Sequence, residues 1–251
     1  TYTIGSNQVN RILYLASARA MVVGTTGGEF VVRASGTDEP ITPTNVQIKQ
    51  QATYGSADIQ PVQAGSYTLF VQRAKRKVRE LGYVYDTDAY QAIDLTILAD
   101  HVSETGIVEL AYQQEPFSIV WGTTTDGRLI GLTYRREEQV VAWHQHKLGG
   151  SFTTGGVTTN HGIVENIAVI PGELNQDNLY MVVKRTINGA TRRYVEILSA
   201  SALGSGVTGS SLTSVGTLES LRTSGNVGIG KAPTAYSLDV SGCLLYTSDA
   251  A

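Results

Sequence analysis

The sequence predicts an all-β protein built from antiparallel, β-propeller-like blades (an incomplete propeller), followed by an extended fibre-like segment at the C-terminal side. Three observations predict it. Short runs rich in β-branched and aromatic residues, bounded by Gly, Asn, Asp or Pro, recur from near the start to Leu198. Tight-turn dipeptides join some of them, among them Asp126-Gly127 and Asn188-Gly189, which supply the positive φ a two-residue hairpin needs. The runs also fall into groups of three or four with a shared order, at spacings of about 40 to 60 residues, the size of a propeller blade.

The first group predicts strands over 11–16, 19–24 and 29–35, with a Gly-rich turn from Thr25 to Gly28. The second predicts strands over 60–63, 67–73 and 77–85, turning at 74–76. Here Tyr67, Leu69, Phe70 and Val71 place apolar residues on both faces, as in a sheet held between two others. A β-sandwich is the alternative architecture. A helix is expected over 94–101, with Asp94 as N-cap ahead of Leu95, Ile97 and Leu98. The third group predicts strands over 107–113, 117–123, 129–134 and 139–145, and the Gly-rich stretch 149–156 then reads as a flexible connection. The fourth predicts strands over 163–170, 178–186 and 190–198.

From residue 199 to 242 Ser, Thr and Gly dominate, and Leu203, Val207, Leu212, Val215, Leu218 and Leu221 stand too far apart to build a core in one chain. This stretch reads as a linker and fibre-like segment after a tail domain at 1–198. Residues 243–251, CLLYTSDAA, back-translate to a sequence resembling a transposase adaptor, so they are read as adaptor read-through on a metagenomic fragment. With Thr1 in place of an initiator Met, an N-terminally truncated chain is expected.

Composition excludes several classes. Among 251 residues, 41% are hydrophobic and 16% charged, a globular balance. A net charge of −3 gives no global pull toward nucleic acid, so any such contact must come from a local patch. Cys243 alone makes no disulfide framework, and no apolar run approaches the roughly 20 residues that span a bilayer, so no membrane span is expected.

Catalytic chemistry finds little purchase. His144 and His146 stand two apart on an expected strand and face the same way, which is half a metal site; His101 and His161 add no spacing signal. Glu137 and Glu138 beside Asp126 suggest paired carboxylates, but adjacent residues point to opposite sides, and Arg135 and Arg136 mark a solvated hairpin tip. No Ser sits in a GxSxG elbow and no Gly-rich stretch ends in a phosphate-loop Lys. The expectation is therefore no enzyme, no catalytic or metal residues, no cofactor and no small-molecule substrate. The strongest charge feature is the run Arg73, Lys75, Arg76, Lys77, Arg79, and Arg185, Arg192 and Arg193 flank the Asn188-Gly189 turn. Two readings fit these eight residues: solvated turns with protected edges, or sequence-independent contacts to DNA phosphates.

The strings RILYLASARAMVVG (11–24), FVQRAKRKVREL (70–81), the AYQQEP core of 107–120 and GLTYRREEQVVAWHQH (131–146) occur in one order with the stretch 164–195. Together they resemble a family of bacteriophage tail proteins of the stabilisation or nozzle type, over residues 1 to about 198. The resemblance implies a non-catalytic, propeller-rich virion protein at the end of a short tail, assembled in the host bacterial cytoplasm. It further implies a homo-oligomeric ring with other tail subunits around packaged DNA, which it helps retain and deliver. Separately, TSVGTL (213–218) and SGNVGIGKAPTAYSLDVSG (224–242) resemble the segment before the chaperone domain of tail fibres, which implies a tail fibre or tailspike that binds or cleaves host-surface polysaccharide as the alternative function.

Overall fold

The computed structural model describes residues 10–36, 39–172, 175–198, 227–229 and 238–240. Most of the expected linker and fibre-like segment, and all of 243–251, lie outside the described residues. The chain divides into two compact units, Thr1–Ala202 and Leu203–Ala251. In the second unit, Val227–Ile229 pairs in parallel with Leu238–Val240.

The first unit consists of successive antiparallel sheets, each a simple up-and-down meander. The first sheet runs β1 (Ile12–Ser17), β2 (Met21–Thr25), β3 (Gly28–Ala34), β4 (Val46–Ala52). The second runs β5 (Val62–Ala64), β6 (Tyr67–Val71), β7 (Val78–Val84), β8 (Ala89–Asp94), and the third β9 (Ile107–Gln113), β10 (Ile119–Thr124), β11 (Leu129–Arg135), β12 (Val140–His146). A short hairpin, β13 (Thr153–Thr154) with β14 (Val157–Thr158), precedes a three-stranded sheet of β15 (Ile163–Pro171), β16 (Asp177–Ile187) and β17 (Ala190–Leu198). The first strands of the last three sheets, β5, β9 and β15, lie side by side, as the inner strands of propeller blades do. Among the described residues there is no α-helix, and none long and apolar enough to cross a membrane.

Burial explains why the middle strands are apolar on both faces. Phe70 joins Tyr14, Val22, Val31 and Leu81 between the first and second sheets. Leu69 joins Val78, Ile107, Val120, Ile130 and Leu132 between the second and third, and Trp121, Leu129, Val164, Leu179, Met181 and Val183 fill the joint between the third and fourth. Each such side chain taken out of water contributes about 1.5–3 kcal/mol.

A main-chain clasp repeats at each joint. The leading segment of each new sheet donates a backbone N–H to the turn between the second and third strands of the sheet before it. Ser56 donates to the Thr25 carbonyl at 2.8 Å, Ile107 to Lys75 at 2.7 Å and Val164 to Gly127 at 2.9 Å. These turns therefore share one end of the assembly. Gly127 adopts φ 79, and a side chain there would also overlap Ile163, so the turn needs glycine twice over.

Three expectations are corrected. No helix forms over 94–101: the Asp94 carboxylate does cap, accepting the Thr96 N–H at 2.9 Å and its hydroxyl at 2.6 Å, but the chain beyond it makes only a pair of turns, Ala99 to Thr96 and Val102 to Ala99. Burying Leu95, Ala99 and Val102 between sheets outweighs the local helix signal. Strands β4 and β8, which the sequence pattern does not predict, complete their sheets. The stretch 149–156 is not a plain connection, since β13 and β14 turn there over Gly155 and Gly156, both at positive φ.

Candidate nucleic-acid interface

The basic run occupies the turn between β6 and β7. The Gln72 N–H donates to the Lys77 carbonyl at 2.8 Å and the Lys75 N–H to the Gln72 carbonyl at 2.7 Å, with Lys75 in the left-handed region at φ 62. Neighbouring segments brace it. Arg73 N–H reaches the Gly55 carbonyl at 2.9 Å, the Lys75 carbonyl accepts Ile107, and the Ser103 hydroxyl donates to the Arg76 carbonyl at 2.5 Å. The backbone is held from both sides while the side chains of Arg73, Lys75 and Arg76 are exposed.

The other five residues divide differently. Lys77 bonds Asp94 at 2.7 Å; burial pushes the Asp94 carboxyl up, but Lys77 and Thr96 hold it below its usual value. Arg79 is buried and does not belong to the exposed patch: its guanidinium stacks 3.4 Å from the Tyr54 ring centroid and donates to Gln72 Oε1 at 2.8 Å and the Ala92 carbonyl at 2.9 Å. Arg185 forms a two-pronged pair with Glu196 and donates to the Gly149 carbonyl at 2.6 Å. Arg193 chelates Glu165 at 2.6 and 3.2 Å, with Lys184 on the same carboxylate at 2.9 Å; these two partners, Arg193 first, hold Glu165 at about 2. Arg192 is exposed.

The two basic groups thus sit at the same end of the second and fourth sheets, with the third between them. That intervening turn carries Asp126, bonded to Arg128 and Thr124 at 2.6 Å and to Thr105 at 2.8 Å. Burial opposes ionisation of Asp126, yet these bonds keep its carboxyl below the usual range. The end is therefore patterned, with cations either side of an acid, and Arg73, Lys75, Arg76 and Arg192 are the members free to meet an outside anion.

Two buried polar clusters have no counterpart among the sequence-predicted sites. At the first joint the Ser56 hydroxyl donates to Glu29 Oε1 at 2.9 Å and lies 3.3 Å from the Tyr14 hydroxyl; Glu29 Oε2 has no hydrogen-bond partner among the described residues. Burial pushes Glu29 up to about 7 against the Ser56 bond, and burial likewise raises Tyr14. At the second joint Tyr134 donates to Glu80 Oε2 at 2.8 Å while Arg136 stands 3.2 Å from Oε1. A Glu inside each of the apolar runs 28–34 and 78–84 was the available signal. His144 and His146 do share a face: Nδ1 and Nε2 are 2.7 Å apart, both rings pack on Trp121, and the His144 ring lies over Gly131, where a Cβ would overlap it. Among the described residues no cluster of three or more His, Cys, Asp or Glu is placed to hold a metal.

No protein-family model matches the chain, and no curated protein matches it. Among solved structures a luciferin-regenerating enzyme is similar at 14% identity with a TM-score of 0.40, over 69% of this chain and 54% of that one. The chain spans about half the length of that protein, and a likeness this low carries no argument about activity.

Proposed function

We propose that the chain is a non-catalytic structural component of a bacteriophage tail, of the nozzle or tail-tube-end type, that contacts packaged DNA without reading its sequence. The observation that carries the reading is the ordered set of strings over 11–24, 70–81, 107–120, 131–146 and 164–195 that resembles this family, one or more in each of the four sheets. The braced turn with Arg73, Lys75 and Arg76 facing solvent supports the DNA contact, since phosphate binding asks only for cations at fixed positions. A conduit must let DNA slide, and a few exposed cations interrupted by Asp126 suit weak, salt-sensitive contact better than a continuous basic stripe. Negative-stain microscopy of the recombinant chain over a range of concentrations tests it. Rings or tail-like assemblies are expected; monomers throughout would overturn the reading.

A further inference from the structure

Among the described residues the first three sheets have four strands each, and the fourth has three, ending on β17. An outer strand normally protects itself by being short, bulged, proline-bearing or charged. β4 does so, with Lys49 among Gln47, Gln50 and Gln51 and a register shift against β3. β17 carries charge as well, in Arg192, Arg193 and Glu196, but it is long and unbulged. It runs nine residues without a register shift, contains no proline, and exposes Tyr194 (46%), Val195 (71%) and Ile197 (52%).

Its hydrogen-bonding edge is set by the turn. Asn188 (φ 51) and Gly189 (φ 75) form a two-residue hairpin closing on the pair Ile187–Ala190, which makes that pair a hydrogen-bonded one. Alternation then directs the backbone of Ala190, Arg192, Tyr194, Glu196 and Leu198 toward β16. The N–H and C=O groups of Thr191, Arg193, Val195 and Ile197 point away, and none of them meets a partner among the described residues.

We infer that β17 is an interaction surface for a second copy of this chain, the two β17 strands pairing antiparallel about a two-fold axis at Tyr194. That axis uses the whole strand, setting Ala190 opposite Leu198, Thr191 opposite Ile197, Arg192 opposite Glu196 and Arg193 opposite Val195. The outward-facing residues fall on the hydrogen-bonded positions. Arg192, which has no ion pair among the described residues, meets Glu196 of the partner subunit at a non-hydrogen-bonded position, where opposed side chains are closest, and shares that carboxylate with the Arg185 that already holds it within its own chain. An axis at Arg193 or Val195 would shorten the overlap and lose both Arg–Glu contacts. The inference stands on the edge of the fourth sheet alone and does not depend on the tail reading. A two-fold pair joins chains two at a time, and rings need a different contact.

The test is light scattering with hydrogen exchange on the full chain, in a Cys243→Ser background. The parent should form a dimer whose Thr191, Arg193, Val195 and Ile197 amides lose protection on dilution. Arg192→Glu alone and Glu196→Arg alone each set like charges opposite one another and should weaken the dimer at least about tenfold. An equimolar mixture of the two variants restores both opposite-charge contacts and should recover the dimer. A parent that stays monomeric, protection of those amides that persists at high dilution, or a mixture no tighter than its components would each overturn the inference.

Discussion

Leu69 and Phe70 are neighbours on β6, both fully buried, and they serve opposite joints: Leu69 packs toward the third sheet and Phe70 toward the first. One dipeptide therefore ties three sheets together. Phe70→Ala should cost about 3–5 kcal/mol and Leu69→Ala about 2–5 kcal/mol in urea unfolding. The location of the damage is the sharper check. Hydrogen exchange in Phe70→Ala should rise first in β1–β3, and in Leu69→Ala first in β9–β11; indistinguishable exchange patterns would mean the joints do not open separately.

Glu29 gives the first joint a pH dependence. Its folded value of about 7 lies above its usual 4.5, so the native state holds the proton more tightly than the unfolded chain does. Stability from this group is fully present below about pH 4.5 and is lost as pH rises toward 7, by an amount on the order of 3 kcal/mol. Glu29→Gln, which keeps the shape and an acceptor for Ser56, should flatten that part of the stability curve. An unchanged slope between pH 4.5 and 7 in the variant would assign the effect elsewhere.

His144 and His146 act in the opposite sense. Burial holds both below 6.5, and the His146 ring further opposes protonation of His144, so their contribution is present above pH 6.5 and is lost as pH falls below it. Replacing His146 by Gln should raise the titration midpoint of His144, read from its imidazole NMR signal, because a neighbouring ring no longer competes for charge. A midpoint that stays where it was would show burial alone to be responsible.

The exposed and the buried cations should separate cleanly. Arg73→Gln, Lys75→Gln and Arg76→Gln together should weaken DNA binding and flatten its salt dependence, while shifting stability by only about 0.5 kcal/mol each. Arg79→Gln should do the reverse. It removes the stack on Tyr54 and two hydrogen bonds from a buried site, so it should destabilise the fold by about 1–3 kcal/mol with little change in salt slope. Fluorescence anisotropy over a salt series, paired with urea melts, distinguishes the two outcomes.

Strands dense in β-branched and aromatic residues announce themselves. β9 and β17 match their expected spans, β15 differs from its own by one residue at one end and β16 by one residue at each end. β4 and β8 were hidden because VQIKQQA and AYQAID carry few large apolar residues, whereas the outer strands β12 and β17 carry enough to be read. The candidate site was legible as charge and illegible as pairing. Arg79 looks like its neighbours in sequence, and only folding brings Tyr54 and Ala92 to it. Arg193 likewise meets Glu165, 28 residues away, across a sheet whose pairing no local pattern encodes.

The main-chain clasp from Ser56 to Thr25, Ile107 to Lys75 and Val164 to Gly127 has an evolutionary reach. Its donors and acceptors are peptide groups, so the seat between one sheet and the next asks little of most side chains at these three pairs of positions, Gly127 being the exception that its turn holds fixed. A gene segment encoding one such sheet can be copied, and the copy arrives already able to dock on its parent. Lineages can then lengthen or shorten the array by whole units, with selection left to retouch only the apolar contacts that fill each new gap.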